Sequence, residues 1–200
     1  MGQDDKRRRI LDAAVTVFAR SGFYTSKVAD VASEAGVADG TIYLYFKNKE
    51  DLLIQVFMDT MERVLHRQDE ALAGCVDPIE QLRRFITVHF EVAGSSPALA
   101  EVITVELRQS AKFMRATEMK PFGRYLGIIA RIVAEGQEKG VFRRDIQPRF
   151  VARALFGMLD ELALEWATSE QEQEMTDLRG QAVSVVLGGL LGTQEHSGQR

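Results

Sequence analysis

The sequence predicts an all-α protein of about nine helices. Three observations lead there. Apolar residues recur at three- and four-residue spacing from one end of the chain to the other. Alternating strand-like runs are nearly absent. Helix-boundary residues punctuate the apolar stretches, with Gly22, Gly36 and Gly140 at helix ends and Asn48, Asp77-Pro78, Ser96-Pro97 and Pro148 at helix starts.

Taken in order, the first helix is expected from about Lys6 to Ser21, with Ile10, Ala14, Val17 and Phe18 on one face and Gly22 ending it. A short second helix opens near Thr25 or Ser26 and carries Val28, Val31 and Ala32 before Gly36 breaks it. A third begins at Ala38 or Asp39 and is over by Phe46. Asn48 caps a long fourth helix, and Asp51 stands where a capping-box acid would. Asp77-Pro78-Ile79-Glu80 opens the next helix and Ser96-Pro97 repeats the device. Pro121 sits in or at the start of a helix that ends at Gly140. Pro148 opens one through about Thr168, and the last runs from about Glu174 to Leu191. The expected organisation is a small domain over residues 1–50, a larger domain over 51–192, and a loose polar tail over 193–200.

Composition narrows the setting. Hydrophobic residues make up 46% of the 200, enough for a proper core. Cys75 is the single cysteine, so one chain holds neither a disulfide framework nor a Cys-based zinc site, which suits a reducing compartment. The apolar run from Ala182 to Leu191 is too short to span a bilayer, and no signal-peptide pattern follows MGQDDKRRRI. A soluble cytoplasmic protein without a membrane partner is expected. Net charge is −4, but residues 1–50 carry +1, with Lys6, Arg7, Arg8 and Arg9 clustered. A local basic patch on an acidic chain is compatible with DNA binding.

Residues 26–46 read as helix, a Gly-containing turn at Ala35-Gly36-Val37, and a second short helix. That is the helix-turn-helix arrangement, whose second helix presents its N-terminal residues to the major groove. Asp39, Gly40, Thr41 and Tyr43 fall there. Gly40 permits close backbone approach, and Thr41 offers a hydroxyl and a methyl to a phosphate or a base. Tyr43 and Tyr45 are amphipathic, suited either to DNA contact or to packing, whereas Ile42 and Phe46 share a face with Val28, Val31 and Leu52 and are read as packing. Lys47 and Lys49 fit phosphates, and Asp39 is read as a helix cap, because a carboxylate repels phosphate.

The run GVADGTIYLYFKNKEDLL, preceded by RRRILDAAVTVFARSGFYTSKVADVASEAGV, resembles the TetR family of bacterial transcriptional regulators over about 50 residues. Gly22-Phe23, Ser26, Ala32 to Val37, Gly40, Thr41, Tyr43, Tyr45, Phe46, Lys47, Asn48, Lys49 and Leu52 carry the resemblance. It implies DNA contacts by Lys27, Asp39, Gly40, Thr41, Tyr43, Tyr45, Lys47 and Lys49, with palindromic double-stranded operator DNA as the partner. The segment from Val102 to Phe142, with LFGMLDELALEWA behind it, resembles the FadR-type subgroup, which implies release from fatty-acid-degradation operators by long-chain acyl-CoA.

The last two helices carry Val151, Leu155, Leu159, Leu162 and Trp166 on one and Leu178, Ala182, Val185, Val186 and Gly189 on the other. Their spacing fits an intrachain core and a subunit interface equally; the family resemblance implies a homodimer through these helices. Candidate ligand contacts in the middle of the chain are Phe85, His89, Ile103, Leu107, Phe122, Ile128 and Phe156 as apolar or aromatic wall and Arg108, Arg124 and Arg131 as cations. His89, inside an apolar helix, also reads as a satisfied core residue. No cofactor, metal site or catalytic residue is expected, since His66, His89 and His196 lie far apart and form no metal or nucleophile motif. Two other functions are compatible: a multidrug-type sensor of other hydrophobic molecules, and an acyl-CoA hydrolase with Glu106 and Asp160-Glu161 as a carboxylate pair in a cleft.

Overall fold

The structure is a computed structural model describing residues 3–103, 120–169 and 175–191. These residues form nine helices: α1 Gln3–Ser21, α2 Val28–Glu34, α3 Asp39–Ile42, α4 Lys49–Leu72, α5 Pro78–Ser95, α6 Pro97–Glu101, α7 Lys120–Glu138, α8 Pro148–Thr168 and α9 Met175–Leu190. Among the described residues the only β pairing is a single antiparallel bridge between Phe142 and Leu191. Leu107 and Arg108, with Glu106 and the tail 193–200, lie outside the described residues.

Local chemistry sets most boundaries. Asn48 accepts a hydrogen bond from the Asp51 backbone N–H at 2.8 Å, as a cap should. The Asp51 carboxylate accepts from the Lys47 N–H at 2.8 Å, one residue earlier than a standard capping box. Asp77 and Ser96 cap α5 and α6, each followed by proline in the first turn. Asp39 does not cap α3. Ala38 holds that position without a side-chain bond, and Asp39 is the first helical residue. The cap reading of Asp39 is corrected accordingly.

α1, α2 and α3 pack around Ile10, Ala14, Phe18, Val31, Ile42 and Phe46, all buried. Gly36, at φ +63°, makes the turn between α2 and α3 that a side chain would strain. α4 continues unbroken from this small head into the larger domain, so residue 50 is no break in the chain's path. There α4, α5, α7 and α8 pack together, with the pair α7–α8 the most extensive and α9 lying on α5 and α8. α6 touches both α1 and α8, a second link between the two parts. After α7 the chain folds back so tightly that a Cβ on Gly136 would overlap the Phe142 ring.

Candidate functional site

The helix-turn-helix face is built by α2, the turn and α3. Ile42 and Phe46 point inward and are buried, as packing residues. Tyr43 is 58% exposed and its neighbour Leu44, not singled out from sequence, 80%. Lys27, Asp39, Gly40 and Lys47 are exposed, and Thr41 and Tyr45 half-buried. Gly40 is informative because nothing among the described residues requires it: its φ is not positive, and a Cβ there would meet none of them within 4 Å. A bare backbone at the start of α3 suits close approach by something outside the chain.

Lys49 is placed differently from the phosphate contact expected of it. Its ammonium donates to the carbonyls of Phe23 at 2.6 Å, Ser26 at 2.8 Å and Tyr24 at 3.2 Å, and stands 4.6 Å over the Phe23 ring. An ammonium has three donors, and all three are taken. The expectation is corrected: Lys49 ties the start of α4 to the α1–α2 turn. A second tie lies further along α4. Asp59 pairs with Arg7 at 3.8 Å, Arg8 at 4.0 Å and Arg63 at 3.3 Å, and Arg7 also donates to Gln55 at 3.0 Å. The head is thus tied to α4 at two places.

The opposite face of α4 walls a cavity of about 440 Å³. Phe57, Thr60, Met61 and Val64 come from α4; His89, Val92 and Ala93 from α5; Leu99 and Ala100 from α6, with Ile103 just beyond it. Phe122 and Tyr125 of α7 and Arg153, Phe156, Asp160 and Ala163 of α8 complete it. Of the expected ligand contacts, His89, Ile103, Phe122 and Phe156 line this space. Phe85 and Ile128 do not, because both are buried in the core behind it, Phe85 against the Tyr125 ring at 4.9 Å. Arg124 and Arg131 are also corrected. Arg124 reaches outward to Glu62 and Asp69, and Arg131 to Glu135 one turn on, so neither guanidinium faces the cavity.

Sequence reasoning places a ligand tunnel beside the fourth helix but does not single out Phe57, Thr60, Met61 and Val64 as its wall, nor Tyr125 and Arg153. A usable signal was present: Thr60, His89, Tyr125 and Asp160 interrupt otherwise apolar stripes. His89 Nδ1 lies 2.7 Å from the Tyr125 hydroxyl. The His89 ring borders the cavity, but its Nε2 is sealed from solvent and makes no hydrogen bond among the described residues. Burial lowers its pKa from 6.5 to about 4, with the Leu159 carbonyl pulling weakly the other way. Burial and the neighbouring Asp160 hold the Tyr125 hydroxyl protonated. Both groups are therefore neutral at pH 7. Among the described residues no cluster of His, Cys, Asp or Glu is arranged to hold a metal.

The residues expected at a dimer surface divide in two. Val151, Leu155, Leu159 and Ala182 are buried within the single chain, so they belong to its own core, a correction to their expected role. Leu162, Trp166, Leu178 and Val186 are half-buried, and Gly189 and Val185 are exposed, Val185 by 66%. No helix among the described residues is long and apolar enough to cross a membrane.

Comparison with known proteins adds to this geometry. Residues 10–56 match the bacterial regulatory proteins of the tetR family, and residues 57–189 match the C-terminal region of YsiA-like proteins. The chain is 35% identical over 185 residues to the fatty acid metabolism regulator protein of Bacillus subtilis (strain 168), covering 92% of this chain and 95% of that one. It is similar to the fatty acid degradation regulator FadR of Bacillus halodurans, with TM-score 0.86, 35% identity and coverage of 94% and 97%. It is also similar to the transcriptional regulator FadR of Bacillus subtilis in complex with stearoyl-CoA, with TM-score 0.84, 34% identity and coverage of 91% and 98%.

Proposed function

Because the chain belongs to the TetR family of bacterial regulatory proteins, among its fatty acid metabolism regulators, we propose that it is a cytoplasmic repressor of fatty-acid-degradation genes, bound to palindromic operator DNA as a homodimer and released by long-chain acyl-CoA. The observation that carries this reading is the apolar cavity of about 440 Å³ walled by α4. Pockets for small molecules run from roughly 300 to 1,000 Å³. Each buried methylene contributes about 0.8 kcal/mol, so a long tail supplies several kcal/mol after ordering costs. The FadR of Bacillus subtilis, similar over most of this chain, was solved with stearoyl-CoA.

Release follows from how α4 is tied. Its cavity face carries Phe57, Thr60, Met61 and Val64, while Lys49 and Asp59 hold it to the α1–α2 turn and to α1. A tail that displaces this wall turns the head with it. In a dimer the two α3 helices must sit one DNA turn apart, roughly 34–36 Å, so a small rotation disrupts both half-sites. A preference of about 1–3 kcal/mol for the displaced state gives 5- to 150-fold release. The exposed faces of α8 and α9, around Val185 and Gly189, are the proposed dimer contact.

The test is a mobility-shift assay on the protein's own promoter with acyl-CoAs of graded length. Chains of about C12 to C18 are expected to release DNA and shorter ones progressively less, following the methylene increment. A response blind to chain length, or equal release by unrelated lipophilic compounds, refutes the acyl-CoA reading in favour of a multidrug-type sensor. Stoichiometric binding without turnover is expected, in keeping with a regulator and not a hydrolase.

A further inference from the structure

Resting on the acyl-CoA reading of the cavity, we propose that Arg153 is its anion anchor, holding the phosphate-bearing end of the effector and so setting the direction in which the molecule lies. Arg153 stands in the second turn of α8, exposed, with its guanidinium carbon 5.7 Å from the centre of the Phe122 ring. Phe122 packs edge-on against Phe156 at 4.8 Å and Phe57 at 6.3 Å, so the guanidinium lies over the aromatic wall of the cavity itself. Among the described residues Arg153 makes no ion pair. That sets it apart from Arg63, Arg124 and Arg131, each engaged with a carboxylate. Among the other described lining residues only His89 can carry positive charge, and burial keeps it neutral.

A guanidinium held over a ring face is attracted to it while its N–H edge stays able to form paired hydrogen bonds with a phosphate. Seven residues further along α8, on the same helix face, Asp160 lines the same cavity and is buried. Two helical turns separate the two, about 10.5 Å along the axis. α8 therefore carries a cation at the solvent-exposed end of the cavity and a carboxyl group deeper within. An anion is attracted to the first. The phosphates of a coenzyme A thioester lie far from its acyl chain, so the tail enters past Phe156 while the phosphates remain at Arg153.

The test measures dissociation constants of wild type, Arg153→Met and Arg153→Lys for three probes: palmitoyl-CoA, the uncharged palmitoyl thioester of N-acetylcysteamine, and palmitate. Methionine keeps an apolar stem over Phe122 and removes only the charge and the hydrogen-bonding fork. Arg153→Met is expected to weaken palmitoyl-CoA about tenfold or more and leave the neutral thioester unchanged, with Arg153→Lys restoring part of the loss. Equal weakening of both thioesters assigns Arg153 a packing role and overturns the inference, as does no weakening of either. Palmitate bound as tightly as palmitoyl-CoA by wild type, with the same loss in Arg153→Met, also overturns it by making the anion a carboxylate. Wild type binding both thioesters equally refutes the anchor alone. Wild type binding neither refutes the acyl-CoA reading itself.

Discussion

Replacing Lys49 by methionine separates two physical roles that the sequence leaves superimposed. The ammonium makes two half-buried hydrogen bonds, to Phe23 at 2.6 Å and Ser26 at 2.8 Å, a more exposed one to Tyr24, and a contact with the Phe23 ring. A hydrogen bond to a charged group contributes about 1.5–3 kcal/mol and a ring contact at an exposed site about 0.5–1 kcal/mol. The bonds share one ammonium and are not additive, and ordering a lysine costs up to about 2 kcal/mol. A net loss of about 2–3 kcal/mol is expected from these terms. For a chain of this size that lowers Tm by about 4–12 °C. Thermal unfolding followed by circular dichroism measures it, alongside operator affinity as a function of salt. If Lys49 held a phosphate instead, Lys49→Met would leave Tm in place and reduce the slope of log K against log salt by about one. That pair of results would refute the clamp.

Gly40→Ala is expected to keep or slightly raise Tm, since alanine favours helix by about 0.8–1 kcal/mol and its Cβ meets nothing, while operator affinity falls at least about tenfold; unchanged affinity would remove the backbone of α3 from the contact. His89 makes stability depend on pH. Its folded pKa of about 4 lies below the unfolded 6.5, so the unfolded chain takes up the proton first as pH falls. Stability is then full above about pH 6.5 and declines towards pH 4, with about 2 kcal/mol lost between pH 7 and pH 5. Urea titrations should show this loss in wild type and not in His89→Gln, and an identical pH slope in both would contradict it. At the proposed subunit contact, Val185→Glu is expected to give monomers in sedimentation without loss of fold, whereas Leu159→Ala costs about 2–5 kcal/mol of chain stability. A Val185→Glu protein that remains dimeric would move the interface elsewhere.

Where a feature depends on neighbours in the chain, the sequence alone determined it. Caps at Asn48, Asp77 and Ser96, the prolines that follow two of them and the glycines that end α1, α2 and α7 act within a turn or two, so helix boundaries were legible to within a few residues. The inward placing of Ile42 and Phe46 was legible for the same reason, since their period matches α2 and the start of α4. Which way a charged side chain reaches from a helix surface was not. Arg124, Arg131 and Arg153 all lie on amphipathic helices, yet two bind carboxylates outside the cavity and one, never singled out, stands at its edge. The destination of a long flexible side chain is set by partners far apart in sequence: Phe23 for Lys49, Asp69 for Arg124 and Phe122 for Arg153. Likewise the apolar stripes of α8 and α9 have one period whether they fill a core or face a second subunit. Only packing against α5, α6 and α7 decided that Leu155, Leu159 and Ala182 are interior while Val185 is left outside.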